Sequence, residues 1–130
     1  MANAAQYKAK LTDDQYDVLF NKATEAAYSG KYDQLFKDGT YVCAACETQL
    51  FESGTKFDAH CGWPSFYDAK PGAVVFHDDM SLGMKRTEVT CATCGGHLGH
   101  LFEGEGLGLP TDQRYCINSL SLKFIPEDQV

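Results

Sequence analysis

The chain has 130 residues, 44% of them hydrophobic, and a formal net charge of −7. Nucleic acids and anionic membrane surfaces attract clustered basic residues, so this charge argues against both as partners. The length predicts a single domain over 1–130, with 1–10 as a loose N-terminal tail, 11–124 as the domain and 125–130 as a frayed C-terminal tail.

The cysteine content and the N-terminus bear on the compartment. No apolar run approaches the roughly 20 residues of a membrane span, and the first ten residues lack an apolar signal core. A cytoplasmic protein is therefore expected, and nothing in the sequence requires more than a monomer. In a reducing compartment, six cysteines indicate metal ligands or redox chemistry before a disulfide framework.

One helix is predicted near the N-terminus. Thr12 is typical of an N-cap, and Gln15 completes a capping box with it. Apolar residues at spacings of three and four predict that this helix continues to Ser29-Gly30. A short helical turn is expected over 32–36. The apolar stripe consists of Tyr16, Leu19, Phe20, Ala23 and Ala27.

From Thr40 onward the pattern is typical of a mainly β protein. Short apolar runs alternate with Gly, Pro and Asp at intervals of roughly ten residues. The predicted strands span residues 41–43, 49–51, 74–77, 87–91, 97–102 and 114–124.

The last predicted strand carries a cysteine with polar neighbours. Alternation places Arg114, Cys116 and Asn118 on one face, unless a bulge near Ser119 breaks the register. A cation beside a thiol lowers its pKa and so favours the nucleophilic thiolate. The alternative is a small buried cysteine in a late strand, and this strand alone leaves both interpretations open. The same face would continue into the core through Leu120, Leu122 and Phe124.

Two Cys-x-x-Cys motifs are separated by 44 residues. Each motif can turn two thiolates toward one cation, and four thiolates form a closed tetrahedral site that is typical of structural zinc. Disulfides or redox-active pairs are the alternatives, but a thioredoxin-type motif belongs in a βαβ context that this pattern lacks. The predicted zinc ligands are Cys43, Cys46, Cys91 and Cys94.

Two further clusters contain residues that can carry chemistry. Apart from Cys116, Cys61 is the cysteine that lies outside the two Cys-x-x-Cys motifs. It shares a Gly- and Pro-containing loop with Trp63, the single tryptophan. His97 and His100 are three residues apart, so a regular strand would separate them unless the chain bends at Gly99. His97 as a zinc ligand is a weaker alternative, because four cysteines already complete the site.

Four motifs, found in one order along the chain, resemble the methionine-R-sulfoxide reductase B family. The resemblance extends from near Leu11 to about Phe124. The motifs are Cys61-Gly62-Trp63-Pro64-Ser65-Phe66, Arg86-Thr87-Glu88-Val89 followed by Cys91 and Cys94, His97-Leu98-Gly99-His100-Leu101-Phe102, and Arg114-Tyr115-Cys116-Ile117-Asn118-Ser119.

The resemblance implies a fold and a reaction. The fold would be two antiparallel β-sheets forming a small barrel-like or sandwich-like core with short N-terminal helices and one structural zinc. Cys116 would attack the sulfur of the R epimer of methionine sulfoxide, free or in proteins, and become a sulfenic acid. Cys61 would resolve it as a disulfide, which thioredoxin reduces. Trp63 would pack against the substrate methyl group. The polar set of the family's active site matches His97, His100, Arg114 and Asn118.

Two points stay open at this level. Attack on a sulfoxide leaves negative charge on oxygen, so a proton donor or an oxyanion-stabilising group is required, and His97 and His100 are the candidates. The family often places Asp-Gly after the second histidine, and here Glu103-Gly104-Glu105-Gly106 follows, so the sequence does not decide whether Glu103 or Glu105 assists. The competing function is a zinc-ribbon binding module with an aromatic cage at Trp63, which would need neither Cys61 nor Cys116.

Overall fold

The computed structural model describes residues 4–59, 61–80, 86–103, 106 and 108–127. These residues form one α-helix, α1 (Asp13–Asn21), short 3-10 helices and nine β-strands. None of the helices in this part of the chain is both long enough and apolar enough to span a bilayer. The strands are β1 (Gly39–Cys43), β2 (Gln49–Glu52), β3 (Lys56–Phe57), β4 (Ser65–Phe66), β5 (Val74–Asp79), β6 (Arg86–Cys91), β7 (His97–Glu103), β8 (Gln113–Ile117) and β9 (Leu122–Pro126).

The strands form two antiparallel sheets, which confirms the predicted mainly β fold. The smaller sheet has the order β2-β1-β9, and the larger has the order β3-β4-β8-β7-β6-β5. Within the described residues neither sheet closes on itself, so the core is a pair of open sheets and not a barrel. Five of the six predicted strands are confirmed to within two residues at each end. The two-residue strands β3 and β4 are too short to produce a periodic signal and were not predicted.

Aromatic side chains pack between the two sheets. Phe51 of β2 stacks on Phe66 of β4 with ring centroids 4.3 Å apart, and Tyr41 of β1 meets the Phe66 ring at 5.1 Å. Phe51 also contacts Tyr115 of β8 at 5.6 Å. Each buried aromatic ring removes a large apolar area from water. This cluster therefore fixes β8, the strand that carries Cys116, against the smaller sheet.

Helix α1 begins as predicted but ends much earlier. Thr12 Oγ1 accepts from the Gln15 N–H, and the Gln15 side chain accepts from the Thr12 N–H, so the capping box is confirmed. Lys22 then adopts φ 58°, and its N–H donates to the Asp17 carbonyl. A left-handed residue ends an α-helix. The prediction that the helix continues to Ser29-Gly30 is therefore wrong.

The segments around α1 also differ from the prediction. Ala4–Lys10 form a 3-10 helix instead of a loose tail, and the Tyr7 ring stacks on Phe20 at 6.0 Å. Residues 31–34 form hydrogen-bonded turns and not the expected helical turn. At the other end, β9 reaches Pro126, whereas fraying was expected from 125, and residues 128–130 lie outside the described part of the chain.

The predicted strand over 114–124 is in fact two strands in different sheets. Strand β8 ends at Ile117, a 3-10 helix spans Ser119–Ser121, and β9 begins at Leu122 beside β1. The break lies at Ser119, where the sequence allowed for one, but it is a change of sheet and not a bulge. Leu122 is buried in the core while Leu120 is partly exposed, so Leu120 does not continue the face of Cys116.

Candidate active site and metal centre

Strand β8 presents Arg114 and Cys116 on the face opposite its buried core residues. Tyr115 and Ile117 are 4% and 0% exposed, whereas Arg114 and Cys116 are partly exposed. The predicted alternation is therefore present in the structure. The Arg114 guanidinium lies over the ring of Phe102 on the neighbouring strand β7, 4.4 Å from its centroid. This contact holds the positive charge beside the cysteine.

Cys61 lies directly against Cys116. Strand β4 pairs with β8 so that Ser65 stands opposite Cys116, and the loop before β4 brings Cys61 to the same place. The two Sγ atoms are 3.4 Å apart, and the Ser65 hydroxyl is 3.3 Å from Cys61 Sγ. These two cysteines are 55 positions apart in the chain.

The contact between the two thiols governs their ionisation. Hydrogen bonding with Cys116 lowers the pKa of Cys61 to about 5, and the same contact raises the pKa of Cys116. Arg114 acts to lower the pKa of both thiols. With the pKa of Cys61 lowered and that of Cys116 raised, the pair favours a single negative charge at neutral pH. Either sulfur can carry that charge when the proton moves along the hydrogen bond.

A cavity of about 240 Å³ opens beside the two sulfurs. It lies below the usual range of small-molecule sites, so it suits a ligand the size of one side chain. Trp63 and Phe102 supply aromatic walls, and Arg114 supplies positive charge. Six of the predicted site residues line the cavity: Cys61, Trp63, His100, Arg114, Cys116 and Asn118.

Four other residues that line the cavity were missing from the predicted site. Arg86 begins β6, and Gly99 and Phe102 belong to β7; all three lie inside motifs that carry the family resemblance. A Cβ on Gly99 would overlap the Cys116 carbonyl oxygen, so only glycine lets β7 pass this close to β8. Thr24 follows α1, and no sequence signal pointed to it.

The two histidines lie together, but only one reaches the cavity. Their ring centroids are 5.5 Å apart. A register shift between β6 and β7, where Thr90 pairs with His97 and Val89 with Gly99, puts them on one side. This bulge replaces the expected bend at Gly99. His100 lines the cavity, whereas His97 is only 4% exposed and lies behind it.

Each histidine is paired with a carboxylate that sequence reasoning missed. His97 Nδ1 lies 2.7 Å from Glu88 Oε2, and His100 Nε2 lies 2.8 Å from Asp79 Oδ2. Burial lowers the pKa of His97, and the Glu88 carboxylate opposes that shift. Asp79 and His100 are 21 positions apart, so no short motif joins them. A carboxylate bound to one ring nitrogen fixes the orientation of the imidazole.

The carboxylates beside the histidines do not come from the acidic run that follows His100. Glu103 is exposed at the end of β7 and does not line the cavity, while Glu105 lies outside the described residues. The carboxylates that contact the histidines come instead from Asp79 of β5 and Glu88 of β6.

Glu25 holds two of the predicted site residues in place. It is 6% exposed, its N–H donates to Asn118 Oδ1 at 3.1 Å, and its carbonyl accepts from Trp63 Nε1 at 3.0 Å. One carboxylate oxygen accepts from the Leu120 N–H at 2.9 Å. Asn118 Nδ2 donates to the Leu98 carbonyl at 3.0 Å. The Asn118 amide thus links β7 to the segment after α1.

Four cysteines cluster where the two sheets meet. Each Cys-x-x-Cys motif is a turn between consecutive strands: Cys43 ends β1 and Cys91 ends β6. The Cys43 and Cys94 sulfurs are 3.7 Å apart, those of Cys46 and Cys91 are 3.5 Å apart, and all four lie within 4.8 Å of one another. One motif belongs to each sheet, so a bound ion would join the two sheets.

The donor set fits a metal ion. Tetrahedral zinc-to-sulfur bonds of roughly 2.3 Å place neighbouring sulfurs about 3.8 Å apart, close to the spacing seen here. Hydrogen bonds with Cys91 and Cys94 raise the pKa of Cys43 above its usual range, because packed thiols resist ionisation until a cation joins them. His97 is not part of the cluster among the described residues. The four cysteines could therefore hold one metal ion.

Comparison with known proteins gives consistent matches over most of the chain. The family model "SelR domain" matches residues 11–126. The chain is 50% identical over 123 residues to chloroplastic peptide methionine sulfoxide reductase B2 of Arabidopsis thaliana. That alignment covers 95% of this chain and 60% of the Arabidopsis protein. It is 50% identical to B8 of the same plant, over 95% of this chain and 85% of that protein. It is also 50% identical to MsrB of Leifsonia xyli, over 95% of this chain and 89% of that protein.

The relatives differ in length, and one solved structure shares the fold. The chain spans 60% of the Arabidopsis B2 protein and 53% of a chloroplastic B3 protein from Oryza sativa. The structure is titled "Crystal Structure of Mis18 'Yippee-like' Domain". It matches with a TM-score of 0.51 and 17% identity, over 68% of this chain and 96% of that chain. That likeness concerns the fold alone.

Proposed function

The chain belongs to the SelR domain family, and we propose on that basis that it is an enzyme that reduces the R epimer of methionine sulfoxide, free or in polypeptides, to methionine. One observation carries the proposal: the sulfurs of Cys61 and Cys116 lie 3.4 Å apart at a cavity of about 240 Å³. A zinc-ribbon binding module would require no such pair.

The first step transfers oxygen from substrate to enzyme. The Cys116 thiolate attacks the sulfoxide sulfur and forms a sulfur–sulfur bond, and the oxygen takes up a proton. The substrate sulfur–oxygen bond and the sulfur–sulfur bond then break as the oxygen bonds to Cys116 Sγ, and methionine leaves. Two electrons pass from the cysteine sulfur to the substrate sulfur, and Cys116 becomes a sulfenic acid. The oxygen gains negative charge during this step. Arg114 and the Asp79-bound His100 are the cavity residues that would stabilise that charge and supply a proton.

Substrate recognition would rest on the cavity walls. Trp63 and Phe102 offer apolar surface to the methyl group next to the sulfoxide sulfur. The Trp63 indole is held by its hydrogen bond to the Glu25 carbonyl, and the Arg114 guanidinium holds the Phe102 ring. Because both rings are fixed before the substrate binds, little side-chain entropy is lost on binding. Asn118 lines the same wall, and His97 would support His100 from behind.

The second and third steps return the enzyme to its reduced form. Cys61 attacks the Cys116 sulfenic acid, a disulfide forms, and water leaves with the oxygen. We propose that thioredoxin then supplies the two electrons that reduce this disulfide. The two sulfurs are already in contact, so the loop that holds Cys61 needs little movement for this reaction.

We also propose that Cys43, Cys46, Cys91 and Cys94 hold one structural zinc. Four thiolates leave no open coordination position, so the ion would stabilise the junction of the two sheets and take no part in the reaction. We propose a cytoplasmic location, although some relatives are named as chloroplastic. A monomer is proposed.

The test is turnover of methionine-R-sulfoxide with dithiothreitol by the protein and by its Cys116→Ser variant. We expect the variant to lose at least about 1000-fold in rate, since the attacking thiolate is gone. Cys61→Ser serves as the control: it should still release one equivalent of methionine per chain. Turnover that survives Cys116→Ser would overturn the proposed function.

A further inference from the structure

The segment that follows α1 is exposed on both sides of one buried residue. Residues 24–29, here called the strap, expose every side chain except that of Glu25. Three consecutive strap residues, Ala26, Ala27 and Tyr28, offer apolar surface, and Tyr28 is 67% exposed. Alanine is the strongest helix former, so the non-helical conformation of Ala26 and Ala27 is imposed by tertiary contacts.

The strap lies directly on the loop that carries Cys61. The Tyr28 N–H donates to the Gly62 carbonyl at 2.7 Å, and the Trp63 indole donates to the Glu25 carbonyl at 3.0 Å. Gly62 has φ +92°, and a Cβ there would lie 2.7 Å from the Ala27 Cβ. The strap and the residues next to Cys61 therefore form one continuous surface.

Tyr28 keeps a backbone conformation that a bulky residue rarely adopts. Its φ is 66°, in the left-handed region. The Tyr28 backbone N–H is bonded to the Gly62 carbonyl, and the phenol ring lies on the outside of the protein. Tyrosine is among the residues that most often anchor protein interfaces, because it adds a large apolar area and one hydroxyl with little loss of side-chain freedom.

Recycling by thioredoxin would bring a second protein to the surface around Cys61. A reductant thiolate has to touch one sulfur of the Cys61–Cys116 disulfide, and Cys61 is the less buried of the two. Attack on Cys61 forms a mixed disulfide and releases Cys116 as a thiolate, which takes up a proton. The second thiol of the reductant then attacks the reductant sulfur of the mixed disulfide and releases Cys61. Two electrons pass, and the reductant leaves as a disulfide.

We propose that the exposed strap residues 26–28 form the docking surface for this dithiol reductant protein, with Tyr28 as its anchor. The inference rests on the proposed function, and the strap is assigned to the reductant because it borders the Cys61 loop. A reductant protein that reaches Cys61 necessarily covers the neighbouring surface. A small thiol such as dithiothreitol reaches the same sulfur without covering it, which separates docking from chemistry.

The test compares two reductants on Tyr28→Ala. Free methionine-R-sulfoxide is the substrate, and turnover is driven either by dithiothreitol or by thioredoxin with its reductase and NADPH. We expect the dithiothreitol-driven rate to be unchanged and the KM for thioredoxin to rise about fivefold or more, the effect expected on losing an interface aromatic. Val75→Ala is the control: Val75 is 43% exposed on β5, which three strands separate from β4 and the Cys61 loop. It should leave both rates unchanged.

Several results would overturn the docking proposal. An unchanged KM for thioredoxin in Tyr28→Ala would do so, as would an equal rise in Val75→Ala. A parallel loss of the dithiothreitol-driven rate would place Tyr28 in the chemistry. A loss seen only with a sulfoxide-containing peptide under dithiothreitol would assign the strap to the substrate polypeptide. If the unsubstituted protein fails to turn over with dithiothreitol, the proposed function itself fails.

Discussion

At the level of single residues, the site depends on one hydrogen bond between two thiols. Cys116 lowers the pKa of Cys61 to about 5, so the pair holds a negative charge at neutral pH. A lowered pKa means that the thiolate persists as the pH falls toward 5 and is lost below it. Ser65 and Arg114 lower the pKa of Cys61 further but contribute less than Cys116 does.

This dependence predicts the alkylation behaviour of Cys61. In the unsubstituted protein, labelling by iodoacetamide should fall with a midpoint near pH 5. Cys116→Ala removes the dominant hydrogen bond, so the Cys61 pKa should move toward the ordinary value of roughly 8.5 and labelling at pH 7 should drop about tenfold or more. Mass spectrometry of the labelled peptide at several pH values measures both.

Ser65→Ala supplies a graded control for the same experiment. Its hydrogen bond to Cys61 is a smaller cause of the shift, so its midpoint should move upward by less than that of Cys116→Ala. Identical midpoints in the unsubstituted protein and in Cys116→Ala would show that the thiol contact does not control ionisation.

Site residues could be predicted from sequence where they share one strand. Arg114 and Cys116 are two positions apart, and alternation alone placed them together. Cys61 and Cys116 are 55 positions apart, and the antiparallel pairing of β4 with β8 brings them together. Their predicted disulfide therefore came from the family resemblance and not from the local pattern. Asp79 was missed because its contact with His100 reaches across the intervening strand β6, and Asp79 belongs to none of the motifs.

At the level of elements, the sequence pattern failed where tertiary contacts override it. The apolar stripe continues through Ala23 and Ala27, both good helix formers. The helix nevertheless ends at Asn21, because the Glu25 and Tyr28 backbone groups that would continue it bond instead to Asn118, Trp63 and Gly62. No local rule could predict these distant partners.

The break between β8 and β9 was hidden for a related reason. Two consecutive polar residues, Asn118 and Ser119, move the apolar positions from Tyr115 and Ile117 to Leu120 and Leu122, but the period of two is the same on both sides. A pattern with period two shows which residues share a face, but it does not show which sheet the strand joins. The capping box at Thr12 and the two Cys-x-x-Cys turns were predictable because their signals are local.

At the level of the whole molecule, the cysteine cluster joins the two sheets. The turn after β1 comes from the smaller sheet and the turn after β6 from the larger. The aromatic cluster packs between the same sheets, so the position of the active-site strand depends on their relative placement. Metal-binding free energy at such a site adds directly to folding free energy.

The stability of the protein should therefore depend on the metal. Cys43→Ser should release zinc and lower the free energy of unfolding by at least about 3 kcal/mol. Cys61→Ser, which lies outside the cluster, should retain the metal and change that free energy by less than about 1 kcal/mol. Urea denaturation with parallel metal analysis checks both variants. A metal-free Cys43→Ser protein of unaltered stability would contradict the structural role.

The central claim is that Cys116 and Cys61 act as one redox pair on methionine-R-sulfoxide. It is tested most directly by treating the fully reduced protein with one equivalent of that substrate, without reductant, and analysing the products by mass spectrometry. The account predicts one methionine per chain, a mass loss of two hydrogens, and a single disulfide-linked peptide joining Cys61 to Cys116. Cys43, Cys46, Cys91 and Cys94 should remain as thiolates. Absence of methionine, or methionine formed with a disulfide between any other pair of cysteines, would contradict the account.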